Sequence, residues 1–173
     1  MSREKFKQWV CTALEMEEKG KAFYERAASE CSAGLGQQVF AMLRDDEIRH
    51  MERIREIEKA LDQDSGLEQA CRMDSPEKDV GQAFRDLASK VEKEKPCDST
   101  TQSLSAAIDF ELELVKFYES ALQEATEELE REFLRRMINE EKGHYMLLSD
   151  MQYYYQDPEA WFMEKDRAGL DGA

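Results

Sequence analysis

Histidine is scarce in this chain: 173 residues carry two, His50 and His144. Glycine (8) and proline (3) are few as well, which argues against a turn-rich all-β fold. No stretch approaches the ~18 consecutive apolar residues of a membrane span. The first ten residues, MSREKFKQWV, hold no apolar run and predict no signal peptide. Positive charge is in the minority, with 24 Lys+Arg against 39 Asp+Glu and a net charge of −15. Such a balance repels nucleic acid and anionic membrane and attracts cations. The four cysteines, Cys11, Cys31, Cys71 and Cys97, are widely spaced and form no C-x-x-C pair. They read as reduced packing thiols of a cytoplasmic protein, not as ligands.

What is present is helical patterning. Hydrophobic residues make up 41% and charged residues 36%, as suits a water-soluble helical domain. An apolar stripe at helical spacing runs through Phe6, Trp9, Val10, Ala13, Met16, Gly20, Phe23, Tyr24 and Ala27. SAGLG (32–36) interrupts it. A second stripe passes through Val39, Phe40, Leu43, Met51, Ile54, Ile57 and Leu61. A third takes Leu104, Ile108, Val115, Tyr118 and Leu122, and a fourth Phe133, Leu134, Met137, Ile138, Tyr145, Leu148 and Met151. Asp157-Pro158 then opens a short helix bearing Trp161 and Phe162. The links between stripes one and two, and three and four, are short. The link between two and three (62–101) is long and includes a short helix through Val80, Phe84, Leu87 and Val91. The expectation is an all-α chain: a four-helix bundle over 1–156 with one long crossover between helices 2 and 3, then a short C-terminal helix and tail over 157–173. One long crossover is the ferritin-like variant of the bundle.

Both histidines close a Glu-x-x-His, Glu47 with His50 and Glu141 with His144. The two motifs lie 94 residues apart (144 − 50 = 94, 141 − 47 = 94). Glu17 and Glu111 stand 30 residues before each motif glutamate, again 94 apart. Tyr24 and Tyr118 follow seven residues later, preceded by Phe23 and Phe117. The halves therefore align without a gap as E-x6-Y … E-x2-H. Such an internal repeat is read as two helix pairs related by approximate two-fold symmetry.

All four glutamates fall on the apolar stripes. An unpaired buried carboxylate costs several kcal/mol or becomes neutral, and no Lys or Arg shares the stripes at that level. Two divalent cations bring +4 against −4. Glu and His at i, i+3 project from one helix face toward one ion. Glu47 and Glu141 can bridge two ions, while Glu17 and Glu111 can each terminate one.

One Glu from each of two helices, with Glu-x-x-His from the other two, resembles the di-iron carboxylate bundle of the ferritin-like superfamily. Over about residues 5–155 the chain is most similar to the rubrerythrin family. LEMEEKGKAFYERA and the tail segments DPEAWF and GLDGA also resemble the rubrerythrin-related ferritin-like proteins of anaerobic and microaerophilic prokaryotes. The resemblance implies Glu17 and Glu111 as terminal ligands, Glu47 and Glu141 as bridging ligands, and His50 and His144 as nitrogen ligands. Tyr24 and Tyr118 would hydrogen-bond a carboxylate of the opposite half. The implied cofactor is two iron ions, with manganese or zinc as other fillings.

The chain departs from the family in two ways. It lacks the rubredoxin domain with its two C-x-x-C motifs, so an electron donor such as a rubredoxin would be a separate protein. Where rubrerythrins carry a further glutamate one turn along the third helix, Leu114 and Val115 stand here. The implied function is reduction of hydrogen peroxide or O2 with oxidation of ferrous iron, in a homodimer. The rival expectations are a non-catalytic iron-binding or storage protein and a bundle with a vestigial site.

Overall fold

The computed structural model describes residues 3–30, 34–63, 84, 87, 88 and 98–170. Four long helices and one short one follow in order: α1 (Arg3–Glu30), α2 (Leu35–Gln63), α3 (Asp98–Glu124), α4 (Glu128–Gln156) and α5 (Pro158–Leu170). No strand occurs among the described residues.

Each short link makes an antiparallel hairpin. Lys7 pairs with Asp62 at 2.7 Å and Glu18 with Arg55 at 3.1 Å, so α1 and α2 run in opposite directions. Lys142 and Glu119, 2.7 Å apart, do the same for α3 and α4. These pairs are exposed and add little stability; they report register. The turn after α3 is closed by Arg131 of α4, whose guanidinium donates to the Ala125 carbonyl at 3.1 Å and to that of Leu122 at 3.4 Å. A cation there also complements the helix dipole.

The apolar faces form two clusters. Phe6, Val10, Ile54, Ile57, Leu114, Phe133 and Met137 pack at one end. Val39, Phe40, Leu43, Leu104, Leu147, Leu148 and Met151 pack at the other. Burying each such side chain contributes roughly 1.5–3 kcal/mol. The repeated glutamates lie between the two clusters in sequence and in register. Their layer is sealed above and below by hydrocarbon.

Gly36 marks a close approach. A Cβ there would meet Thr100 Cγ2 at 2.8 Å and Tyr155 Oη at 3.2 Å. Thr100 is buried by this contact, and α3 starts at Asp98, earlier than its polar, β-branched opening suggests. The link between α2 and α3 therefore spans 64–97, not 62–101. Of the short helix expected within it, Phe84, Leu87 and Ala88 are helical, and Val80 and Val91 lie outside the described residues.

Asp157 caps α5 by accepting from the Ala160 amide at 2.9 Å, and Pro158 takes the first helical position. Trp161 is fully buried, edge-on to Phe84 (5.3 Å between centroids) and Tyr154 (5.7 Å). The tail helix thus clamps the crossover onto α4.

Trp9, Met16 and Phe23, assigned to the first stripe, are only half-buried. They recur every seven residues and sit at the flank of the stripe. Tyr145 is likewise half-buried, and Leu147 takes the core position in α4. Cys11 is an exposed free thiol, not a packing residue. The other three cysteines lie outside the described residues. No described helix is long and apolar enough to cross a membrane.

Candidate metal centre

Glu17, Glu47, Glu111 and Glu141 are completely buried, with His50 and His144 beside them. The helices bring all six together. Side-chain atoms of Glu47, Glu111, Glu141 and His144 lie within 4.8 Å of one another, as do those of Glu17, Glu47 and His50. The imidazole rings face each other with centroids 5.5 Å apart and planes inclined by 22°.

The oxygens divide between the histidines in an ordered way. Glu141 places Oε1 3.2 Å from His50 Nδ1 and Oε2 3.1 Å from His144 Nδ1. Glu47 places Oε2 3.7 Å from His50 Nδ1 and Oε1 3.6 Å from His144 Nδ1. Each of these carboxylates spans both imidazoles. Glu17 approaches only His50, at 3.2 Å, and Glu111 only His144, at 3.7 Å.

The tyrosines cross between hairpins. Tyr118 on α3 donates to Glu17 Oε1 on α1 at 2.5 Å. Tyr24 on α1 donates to Glu111 Oε1 on α3. Burial, with the nearby glutamate charges, pushes both phenols well above their usual range, so both remain protonated donors.

Burial raises Glu47 well above the usual carboxylate range, and the Glu17 charge adds to it. Burial likewise pushes Glu111 up to about 7, against the opposing charge of His144. Burial works against protonation of the imidazoles, but carboxylate charge prevails. Glu141 and Glu17 raise His50, and Glu111 and Glu141 raise His144, both well above the usual 6.5. Burial also opposes ionisation of Glu141, yet the two imidazolium charges hold it below the usual range. Without a metal, the cluster balances its charge by retaining protons.

That balance is incomplete. Both oxygens of Glu47, both of Glu141, Glu111 Oε2 and His144 Nδ1 are buried with no hydrogen-bond partner. Unsatisfied buried polar atoms are rare and costly. Carboxylate oxygens and an imidazole nitrogen converging in this way are what divalent cations satisfy, once the retained protons leave. Carboxylate with imidazole suits iron, manganese and zinc, so the residues fit the implied metals.

Two carboxylates escaped the sequence reading. Glu140 Oε2 lies 2.9 Å from His50 Nε2, and Asp46 Oδ2 lies 3.5 Å from His144 Nε2. Each takes the outer nitrogen of a histidine on the opposite hairpin. An acceptor there fixes the tautomer whose Nδ1 lone pair points inward. Asp46 also pairs with Arg49. The signal was available: an acid immediately precedes each Glu-x-x-His, and 140 − 46 is again 94. Gly20 was on the stripe but without a reason. A Cβ there would meet Glu47 Cδ at 3.3 Å and Phe110 Cε1 at 2.9 Å, so glycine leaves room for the Glu47 carboxylate. Leu114 and Val115 are buried and Glu113 is exposed, so no further glutamate enters from α3.

A ferritin-like helical bundle enclosing a carboxylate–histidine cluster is thus the class of protein this fold and site define. A family model described as Rubrerythrin matches residues 9–152, and the chain belongs to the rubrerythrin family. Neither the curated proteins nor the solved structures compared with the chain give a match.

Proposed function

We propose that the cluster holds two iron ions and reduces hydrogen peroxide or O2, with electrons returned by a separate donor protein. The observation that supports this reading is the placement of Glu47 and Glu141. Each sets one oxygen beside each inward-facing Nδ1, as ligands shared by two ions would. Glu17 with His50, and Glu111 with His144, complete the two sides.

A ferrous pair, when bound, supplies two electrons and Lewis acidity toward an O–O bond. The protein's own groups do the rest. Glu140 and Asp46 hold the imidazoles in the inward-binding tautomer. Tyr118 and Tyr24 occupy one oxygen of Glu17 and of Glu111 and leave the other facing the histidines, where the metal would bind. The apolar clusters on either side exclude water and keep the charges strongly coupled. An electron donor of the rubredoxin type suits a chain with no C-x-x-C pair of its own.

Anaerobic loading with ferrous iron, then peroxide under stopped-flow absorbance, tests this reading. Two irons per chain, rapid formation of an oxo-bridged diferric band and repeated turnover with reductant are expected. More than two irons per chain would indicate storage. Two irons without oxidation would indicate a structural or delivery role.

A further inference from the structure

We propose that Tyr118, Phe117 and Trp9 form a one-sided route by which an oxidising equivalent leaves the buried cluster for the protein surface. The proposal rests on the redox reading above.

The route is continuous. Glu17 accepts the Tyr118 hydroxyl at 2.5 Å. The Tyr118 ring meets that of Phe117 edge-on, 5.2 Å between centroids. Phe117 lies against Trp9 at 4.5 Å between centroids. Tyr118 is buried in the core and Trp9 is half-buried at the flank of α1. Tyrosine and tryptophan are among the side chains most readily oxidised by one electron, and phenylalanine between them is a bridge, not a stop.

The duplication supplies an internal comparison. Tyr24 makes the equivalent bond to Glu111, but its ring neighbours are phenylalanines, Phe23 at 5.4 Å and Phe40 at 6.1 Å. Phe23 is followed by the Arg26 guanidinium. The position equivalent to Trp9 is Ser103 (9 + 94). Among the described residues, only the Tyr118 branch ends in an oxidisable ring.

The route matters when reductant runs short. Peroxide needs two electrons and two protons to become two waters. If one ferrous ion remains, it gives one electron and Tyr118 gives the other, passing its phenolic proton to Glu17. Trp9 then gives an electron to the Tyr118 radical, and the proton returns from Glu17. One ferrous ion, Trp9, peroxide and two protons drawn from the surrounding water thus give one ferric ion, two waters and the Trp9 radical cation, one electron short at the surface. A soluble one-electron reductant such as ascorbate restores it.

The test uses the full chain loaded anaerobically with iron and treated with excess peroxide without reductant. Freeze-quench electron paramagnetic resonance reads the radical, and peptide mass spectrometry reads oxygen added to Trp9. The exposed Met146 and Met163 report direct oxidation by peroxide in every sample. We expect Trp9 to be oxygenated in iron-loaded protein, and the mark to be lost in zinc-loaded protein and in Tyr118→Phe. It is retained in Tyr24→Phe, compared per iron bound. In Trp9→Phe the signal becomes a longer-lived tyrosyl radical. An equal Trp9 mark in zinc-loaded protein, or an unchanged mark in Tyr118→Phe, overturns the route. Two irons bound with neither mark nor radical overturns the route alone. Failure to bind iron overturns the metal reading and the route together.

Discussion

Tyr118 and Glu17, 101 residues apart in sequence, share a 2.5 Å hydrogen bond that joins α3 to α1. Tyr24 returns the same bond to Glu111. Each hydroxyl fixes which oxygen of its glutamate faces the cluster. Tyr24→Phe and Tyr118→Phe should each weaken divalent metal binding by about 10–100-fold. Chelator competition measures this, and circular dichroism should show the helices intact. Unchanged affinity in both variants would mean that the phenols do not orient the carboxylates.

Shared and single-sided carboxylates should behave differently. Glutamine keeps the volume of glutamate and removes its charge. Glu47→Gln and Glu141→Gln touch both histidine sides, so both ions should be lost. Glu17→Gln and Glu111→Gln each touch one side and should leave one ion bound. Metal stoichiometry of the four purified variants decides this, and a single common value would refute the assigned roles.

The histidines should follow the same symmetry. His50→Ala and His144→Ala should lose comparable amounts of metal without unfolding. Glu140→Ala removes the 2.9 Å partner of His50 Nε2 and should reproduce a weaker form of the His50 loss, about tenfold in affinity. If Glu140→Ala binds metal as tightly as the wild type, the outer carboxylate has no orienting role.

Gly20→Ala separates stability from binding. Alanine gains about 1 kcal/mol over glycine in a helix interior. The new methyl crowds Phe110 and Glu47, and overpacking costs about 1–3 kcal/mol. The metal-free melting temperature should therefore change little, while metal affinity falls because Glu47 is displaced. A variant with wild-type affinity would show that Glu47 does not need the space.

Metal-free protein should lose stability as the pH rises. Glu111, pushed up to about 7, holds its proton more tightly folded than unfolded. Its contribution is complete below the usual 4.5 and is lost as pH rises through about 7. His50 and His144 are raised above 6.5, so theirs is complete below 6.5 and declines at higher pH. Glu141 is depressed and has the opposite sign, with its contribution lost only in acid. The melting temperature of the metal-free form should fall as the pH rises from about 4.5 through 7, with the histidines adding to the fall above 6.5. The loaded form should be flatter, and loading should release protons. Calorimetry in buffers of different ionisation enthalpy measures both.

The candidate site was legible in the sequence because the chain states it twice. Glu17, Glu47, His50 and their counterparts interrupt apolar stripes, and a charge on a stripe is conspicuous. Asp46 and Glu140 lie at the stripe edge, amid an excess of acids, where one more carboxylate carries no signal. Only their repeat distance marks them. Trp9 reads as core because aromatics usually are; seven-residue spacing cannot separate the centre of a stripe from its flank. Trp161 could be placed on a helix but not against Phe84, since that contact joins two segments that periodicity treats separately. Thr100 reads as linker because β-branched polar residues favour other conformations. Its helical state comes from the space above Gly36, which no local pattern encodes.

The crossed tyrosine–glutamate bonds bear on how the chain assembles. Most of the packing lies within each hairpin, between residues close enough in sequence to meet early. Both tyrosine bonds join partners about half the chain apart, across the seam between hairpins. The hairpins should therefore form first and the seam close last. Ions bound there would act as rivets through that seam. Their removal should leave the helices in place while amide protons along the α1–α3 contact exchange faster, so a bound ion would report that the two halves of the chain have met.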